Sequence, residues 1–129
     1  MNLLVDTHAW LWWRTSPAKL GRRARAAMED EDNTLWFSAA SAWEIATKHA
    51  IGKLPLPVTP DAFVADLVRL TSANALAINV DHALRAGALP YHHRDPFDRL
   101  LVAQAQLDKL MLVTNDDNIA AYDVKTLWR

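Results

Sequence analysis

The 129-residue sequence contains no cysteine. This absence excludes a disulfide framework, a thiolate nucleophile and a zinc site with sulfur ligands. The sequence also lacks an apolar run near the ~18 residues expected of a membrane span. Its first residues, MNLLVDTHAW, have no basic segment ahead of an apolar one, so they do not resemble a signal peptide. We therefore expect a soluble, cytoplasmic protein without membrane association.

An excess of charge of either sign is also missing. The chain has 14 basic and 15 acidic side chains and a net charge of −1. Because a protein that binds nucleic acid through a broad surface is usually clearly basic, any polyanion must be held by local basic clusters or through metal ions. Hydrophobic residues make up 51% of the chain, enough for one ordinary core. We expect a single domain over residues 1–129.

Predicted strands alternate with predicted helices through the whole chain. The five predicted strands cover residues 2–5, 34–38, 75–80, 111–114 and 124–128. Serine, threonine or aspartate followed by proline predicts helix starts at Ser16, Thr59 and Asp95. The alternation predicts an α/β domain with a mainly parallel sheet covered by helices on both faces.

Four carboxylates stand where such a sheet binds ligands, at the carboxyl ends of its strands. Asp6 follows the first strand, and Asp116 follows strand 111–114 after one residue. Glu44 lies about two turns into the helix after the second strand, and Asp98 lies in the first turn of the helix that Asp95 begins. Helices that follow parallel strands begin at the same edge, so the four acids can meet there.

Clustered carboxylates repel one another unless a cation compensates their charge. Mg²⁺ and Mn²⁺ prefer oxygen ligands and often keep several waters. One such ion can polarise a phosphoryl oxygen and activate water, and two can hold both the attacking and the leaving oxygen. The pattern therefore favours metal-dependent hydrolysis of phosphodiesters.

Each acid also has a purely structural interpretation. Asp6 could cap the predicted helix over residues 8–14, and Asp116 could belong to an ordinary polar turn. Glu44 could pair with Lys48 on a solvated helix face. Asp98 could simply favour the helix dipole. The convergence of the four acids on one edge is what supports a site.

The ordered motifs resemble those of the PIN-domain ribonucleases, and among them the VapC-type toxins of bacterial toxin–antitoxin pairs. The resemblance covers essentially the whole chain and rests on LLVDTHAWLWW, SAASAWEIATKHAIGKLPLP, HRDPFDRLLVAQAQ and LVTNDDNIAAY. It implies a three-layer α/β/α sandwich with a five-stranded, mainly parallel sheet. It also implies hydrolysis of RNA with Mg²⁺ or Mn²⁺, a homodimer, and a small antitoxin protein as partner.

The resemblance also assigns the catalytic and metal-binding acids by position. They fall on Asp6 in VDTH, Glu44 in WEIATK, Asp98 before RLLVAQA and Asp116 in VTND. The third falls on Asp98 rather than on Asp95, which is better interpreted as a helix cap. A contribution from Asp95 or Asp117 to the metal site stays open.

Several neighbours of the acids are candidates for supporting roles. Thr7, Thr114 and Ser38 could orient a carboxylate or a metal-bound water, or could be turn and cap residues only. Arg94 and Arg99 could contact the RNA backbone through bidentate bonds to phosphate, or could form surface salt bridges to the nearby aspartates.

Three further groups are conspicuous in the sequence. The densest basic cluster could guide RNA, although a solvated helix face is the simpler interpretation; it comprises Lys19, Arg22, Arg23 and Arg25. His92 and His93 invite a metal or acid–base role, but adjacent side chains point in different directions, so we expect a loop role. The six tryptophans are too many for one small core, and we expect some at a dimer or antitoxin interface.

Two other functions compete with the ribonuclease. A catalytically inactive PIN-like module could bind RNA or protein, but loss of an acid would be its mark, and all four are present. A phosphoacceptor signalling domain also places acids at strand ends. It would need a lysine at the end of a later strand, which the sequence does not convincingly supply.

Overall fold

The computed structural model describes residues 1–129 and contains one five-stranded sheet. The strands are β1 (Asn2–Val5), β2 (Thr34–Ser38), β3 (Asn74–Leu76), β4 (Met111–Val113) and β5 (Thr126–Leu127). Their order is β3-β2-β1-β4-β5, and every pairing is parallel. The predicted α/β class is confirmed, and the sheet is parallel throughout rather than mainly parallel.

Seven α-helices connect or follow the strands. They are α1 (Thr7–Thr15), α2 (Arg22–Glu29), α3 (Ala39–Ala50), α4 (Pro60–Thr71), α5 (Val80–Ala88), α6 (Pro96–Asp108) and α7 (Asp117–Ala120). None of them combines the length and the apolarity that a membrane crossing requires.

The sheet buries both of its faces. Leu3 and Val5 of β1 belong to one cluster of buried apolar side chains, and Leu4 belongs to a second. Because successive side chains of a strand point to opposite faces, the two clusters lie on the two sides of the sheet. The three-layer α/β/α arrangement expected from the resemblance is confirmed.

The predicted helix after Ser16 is wrong in one respect, because it is interrupted. A 3₁₀ turn at Pro17–Lys19 ends at Leu20, and α2 begins only after Gly21. A Cβ on Gly21 would lie 2.1 Å from the Trp128 carbonyl oxygen. The C-terminal segment at Trp128 therefore approaches Gly21 so closely that a larger side chain has no room.

The predicted third and fifth strands are longer than the observed ones. β3 ends at Leu76, and Asn79 then caps α5 with its side chain. The cap is reciprocal, since the Asn79 side chain accepts from the His82 N–H and the His82 ring accepts from the Asn79 N–H. This local polar exchange competes with strand pairing beyond Leu76.

Most of the tryptophans pack in or beside the hydrophobic core. Trp10 is fully buried against Phe37, and four others pack partly buried beside the two clusters. Trp43 alone is largely exposed, at 57%, with its ring against the edge of Phe97. The expectation that some tryptophans lie at an interface stays a prediction, for which Trp43 is the most exposed candidate.

Candidate active site

Asp6 stands at the carboxyl end of β1 and begins α1. Its carboxylate accepts the Ala9 N–H at 2.7 Å, so it is the N-cap of the helix. The side chain is buried, and burial raises its pKa above the usual value. Hydrogen bonds from Thr114 and Ala9 oppose that rise. The capping role predicted as an alternative coexists with a buried position at the sheet edge.

Glu44 lies on the inner side of α3 and is only 2% exposed. Its Oε2 pairs with the Lys48 ammonium at 2.5 Å, and its Oε1 is buried without any hydrogen-bond partner. The predicted pairing with Lys48 is therefore present, but the predicted solvated face is wrong. A buried carboxylate oxygen without a partner is costly unless a cation or a donor occupies the space beside it.

Asp98 lies in the first turn of α6, which the Asp95 side chain caps. The pKa of Asp98 is raised from 3.8 to about 7. Burial is the largest cause, followed by the negative charges of Asp95 and Glu44, whereas His93 acts in the opposite direction. The negative charges of the neighbouring carboxylates therefore disfavour ionisation of Asp98.

Asp116 follows β4 and caps the short helix α7. Its Oδ1 accepts the Asn118 N–H at 2.8 Å, and its Oδ2 accepts from the His93 ring at 2.9 Å. Both oxygens thus have defined partners, one on the backbone and one on a side chain. The Asp116 carboxylate therefore has more hydrogen-bond partners than the single turn contact that the alternative interpretation requires.

His93 links the third and fourth acids. Its Nε2 lies 2.9 Å from Asp98 Oδ2 and 2.9 Å from Asp116 Oδ2, and the three potential ligand atoms lie within 4.8 Å of one another. The prediction that this histidine has only a loop role is wrong. Its signal was present in the sequence, since His93 belongs to the same HRDPFD segment as Asp98.

All four predicted acids lie close enough, at one edge of the sheet, to affect one another's pKa. The charges of Glu44 and Asp6 raise the pKa of Asp98, and the charge of Asp116 raises that of Asp6. The ligand atoms of Asp6 and Glu44 lie outside the compact group formed around His93. The site therefore consists of a compact group, formed by His93, Asp98 and Asp116, with Asp6 and Glu44 nearby but outside that group.

A comparison with protein families decides the membership of the chain, because the model of the PIN domain matches residues 3–125. The chain belongs to the PIN-domain family. Over 94% of its length it is 29% identical to ribonuclease VapC22 of Mycobacterium tuberculosis, covering 92% of that protein. It is also 44% identical to ribonuclease VapC16 of the same organism, over 46% of this chain and 40% of that protein.

Solved structures share the fold of this PIN domain at low sequence identity. The VapBC2 structure from Rickettsia felis, bound to a DNA fragment from its promoter, superposes with a TM-score of 0.70 at 13% identity and full coverage of both chains. The FitAcB structure from Neisseria gonorrhoeae gives a TM-score of 0.63 at 17% identity, over 97% of this chain and 96% of that one. These likenesses show the fold.

The three hydroxyl residues predicted to support the acids differ in what they contact. Thr114 hydrogen-bonds to the Asp6 carboxylate and accepts the Asp116 N–H at 3.1 Å. Thr7 donates to Ser41 at 2.9 Å. Ser38 caps α3 and donates to the buried Gln104 side chain. Thr114 therefore contacts two acids, whereas the contacts of Thr7 and Ser38 hold α1, α3 and α6 together.

The buried position of Arg99 contradicts both roles predicted from the sequence, a contact with RNA phosphate and a surface salt bridge. Arg99 is 6% exposed, so it meets neither RNA phosphate nor a surface aspartate. Its guanidinium donates to the carbonyl oxygens of Ala86, Leu89, Pro90 and His93, at distances of 2.7 to 3.2 Å. It thereby folds the 89–95 loop against α6. Arg94, in contrast, is exposed on this loop and free to meet a polyanion.

A groove of about 450 Å³ extends from Glu44 along α1 and α3. Its walls include Trp12 and three lysines, Lys19, Lys48 and Lys53. Only Lys19 of the predicted basic cluster takes part, and Arg25 of that cluster pairs with Glu29 instead. Three lysines therefore line the groove that contains Glu44, although the whole chain is nearly neutral.

Proposed function

We propose that this PIN domain is a metal-dependent endoribonuclease that hydrolyses RNA phosphodiester bonds, and that it is the toxin of a toxin–antitoxin pair. The observation that carries the proposal is the convergence of four acids at the carboxyl edge of the sheet. The relatives that are named ribonucleases agree with this chemistry.

We propose Asp6, Glu44, Asp98 and Asp116 as the catalytic and metal-binding residues. The donor set consists of carboxylate oxygens, which Mg²⁺ and Mn²⁺ prefer. The buried Glu44 Oε1 without a partner fits a cation, and so does the accumulation of negative charge around Asp98. When bound, the cation supplies positive charge to the phosphate and makes the attacking water more acidic.

The other side chains of the site would then bind and orient the RNA. Lys48 already neutralises one oxygen of Glu44, and with Lys19 and Lys53 it lines the groove that leads to the acids. A single strand in this groove would meet lysines along its phosphates and the Trp12 ring beside its bases. The exposed Arg94, on the loop that carries His93, would also contact phosphate. We propose no direct RNA contact for Arg99.

We also propose an antitoxin protein as partner and a homodimer as the functional form. The neighbouring solved structures are VapBC and FitAB assemblies. On this chain, the exposed Trp43 and the exposed pair Val80 and Leu84 on α5 offer apolar surface for association. Light scattering of the purified protein would measure the mass and test the dimer.

The test of the function is cleavage of a structured RNA pool by the purified chain. We expect cleavage with Mg²⁺ or Mn²⁺ and none with EDTA. Asp6→Asn and Asp98→Asn should lower the rate by about a hundred-fold or more, as expected for groups that act on the reacting atoms. The matched control is Asp66→Asn, because Asp66 is a surface acid that pairs only with Arg69.

Two outcomes would contradict the proposal. Cleavage by both variants at the rate of the unchanged chain would refute the assignment of the site. Growth arrest on expression that persists in the Asp98→Asn variant, without RNA cleavage by the purified protein, would favour a binding module. Circular dichroism of each variant distinguishes loss of function from loss of the fold.

A further inference from the structure

His93 lies on the 89–95 loop, between α5 and α6, and its ring is inserted between two acids of the site. The Nε2–H is directed at Asp116 Oδ2, and Asp98 Oδ2 lies at the same distance of 2.9 Å from Nε2. The side chain is 14% exposed, so little water competes for these contacts. One ring nitrogen thus hydrogen-bonds to Asp116 and lies in contact with Asp98.

The opposite ring nitrogen decides which form of the imidazole is present. The backbone N–H of Asp95 donates to His93 Nδ1 at 3.2 Å. A backbone N–H can only donate, so Nδ1 must offer its lone pair, and the ring proton must be on Nε2. The Nε2–H therefore points toward the acids.

This arrangement differs from that of a histidine bound to a metal. A ligating histidine gives the lone pair of one nitrogen to the ion and donates its other N–H to a carbonyl or a carboxylate. Here Nδ1 faces a donor instead of an acceptor, which penalises the Nδ1–H form that ligation through Nε2 requires. The short distances to two acids alone would have suggested a ligand.

The backbone of His93 is anchored by two side chains. The His93 carbonyl oxygen accepts from the buried Arg99 at 3.2 Å, and the His93 N–H donates to the Tyr122 hydroxyl at 2.9 Å. Tyr122 donates in turn to the Pro90 carbonyl oxygen. These contacts fix the backbone at His93, and the contacts of Nδ1 with the Asp95 N–H and of Nε2 with Asp116 then set the orientation of the ring.

We propose that His93 is a positioning residue of the ribonuclease, a neutral N–H donor that holds Asp98 and Asp116 beside each other and does not bind the metal. The proposal rests on the proposed function, because the two acids are the metal ligands of that function. His93 donates to Asp116 Oδ2 and contacts Asp98 Oδ2, and the second oxygen of Asp98 is left for a cation. Its removal leaves two carboxylates facing each other without a donor between them.

The state of the ring is measurable without any catalytic assay. In ¹⁵N-labelled protein, the protonated and unprotonated imidazole nitrogens have well-separated chemical shifts, and long-range correlation to the ring protons identifies each. We expect the Nε2–H form in EDTA and the same form after saturation with Mg²⁺. A change to the Nδ1–H form on addition of Mg²⁺ would mean that His93 is a ligand and would overturn the proposal.

Variants test whether the donor matters to the metal site. Calorimetric titration with Mn²⁺ should show affinity about 10–100-fold weaker in His93→Leu. The variant His93→Gln, whose amide N–H can replace the donor, should recover most of the affinity. The matched control is His92→Gln, because His92 is exposed and only its ring edge meets Tyr122.

The outcomes separate this proposal from the proposed function. If Asp98→Asn binds Mn²⁺ as tightly as the unchanged chain, the assignment of the metal site fails. If Asp98→Asn loses Mn²⁺ but His93→Leu binds it normally, only the role of His93 is refuted. If His93→Leu loses the circular dichroism spectrum of the folded chain, it is replaced by His93→Phe, which keeps a ring at this position and also lacks a donor.

Discussion

Replacing Asp98 with asparagine should stabilise the metal-free protein by an amount that depends on pH. The carboxyl group is 13% exposed and its pKa is raised to about 7, chiefly by burial. Asparagine has nearly the same shape and cannot ionise. The substitution therefore removes the cost of a buried negative charge while it leaves the packing of α6 unchanged.

The sign and the size follow from proton linkage. The folded protein holds the Asp98 proton up to about pH 7, whereas the unfolded chain releases it near its ordinary value of 3.8. Stabilisation by the bound proton is therefore complete below pH 3.8 and is lost as the pH rises through about 7. At 1.4 kcal/mol per pH unit, the ionised carboxylate costs at most about 4 kcal/mol above that range.

The assay is urea unfolding in EDTA between pH 5 and 8.5, followed by tryptophan fluorescence. The free energy of unfolding of Asp98→Asn minus that of the unchanged chain should grow from pH 5 to pH 7 and then level off. For the surface control Asp66→Asn this difference should stay flat. A constant difference for Asp98→Asn over the whole range would refute the reasoning. Excess Mg²⁺ should stabilise the unchanged chain more than the variant.

Three further substitutions test other parts of the structure by the same unfolding measurement. Arg99→Met should cost about 3 kcal/mol or more, because several buried carbonyl oxygens lose their donor; a cost below 1 kcal/mol would contradict that role. Lys48→Met should destabilise the metal-free protein by about 1–3 kcal/mol by leaving Glu44 unpaired, and Mg²⁺ should reduce the loss. Gly21→Ala should cost about 2 kcal/mol through its clash with Trp128, so an unchanged stability would contradict the close approach.

The predictable part of the fold is the part determined by local patterns. Short apolar runs identified β1 and β2 with their observed bounds, and the caps at Thr59 and Asp95 began helices where predicted. One error, the uninterrupted helix after Ser16, arose where a contact distant in sequence decides the structure. The interruption at Gly21 depends on Trp128, at the other end of the chain.

The same distinction explains which site residues could be found from the sequence. The four acids follow from strand-end placement together with the motifs. His93 and Arg99 were misjudged because their roles depend on how the 89–95 loop folds back, and that path has no local periodicity. A buried arginine and a surface arginine look alike in a sequence. Only the carbonyl oxygens that surround Arg99 distinguish them.

The near-neutral chain carries an uneven distribution of charge at the candidate site. The site gathers its own negative charge at one edge, and Lys48 and the His93 N–H offset part of it. Neither of them satisfies Glu44 Oε1, and the pKa of Asp98 stays raised despite them. The protein itself therefore leaves a deficit of positive charge that a divalent cation would fill. If the proposed cation binds there, it and the lysines of the groove would attract the phosphate, and a broad basic surface would be unnecessary.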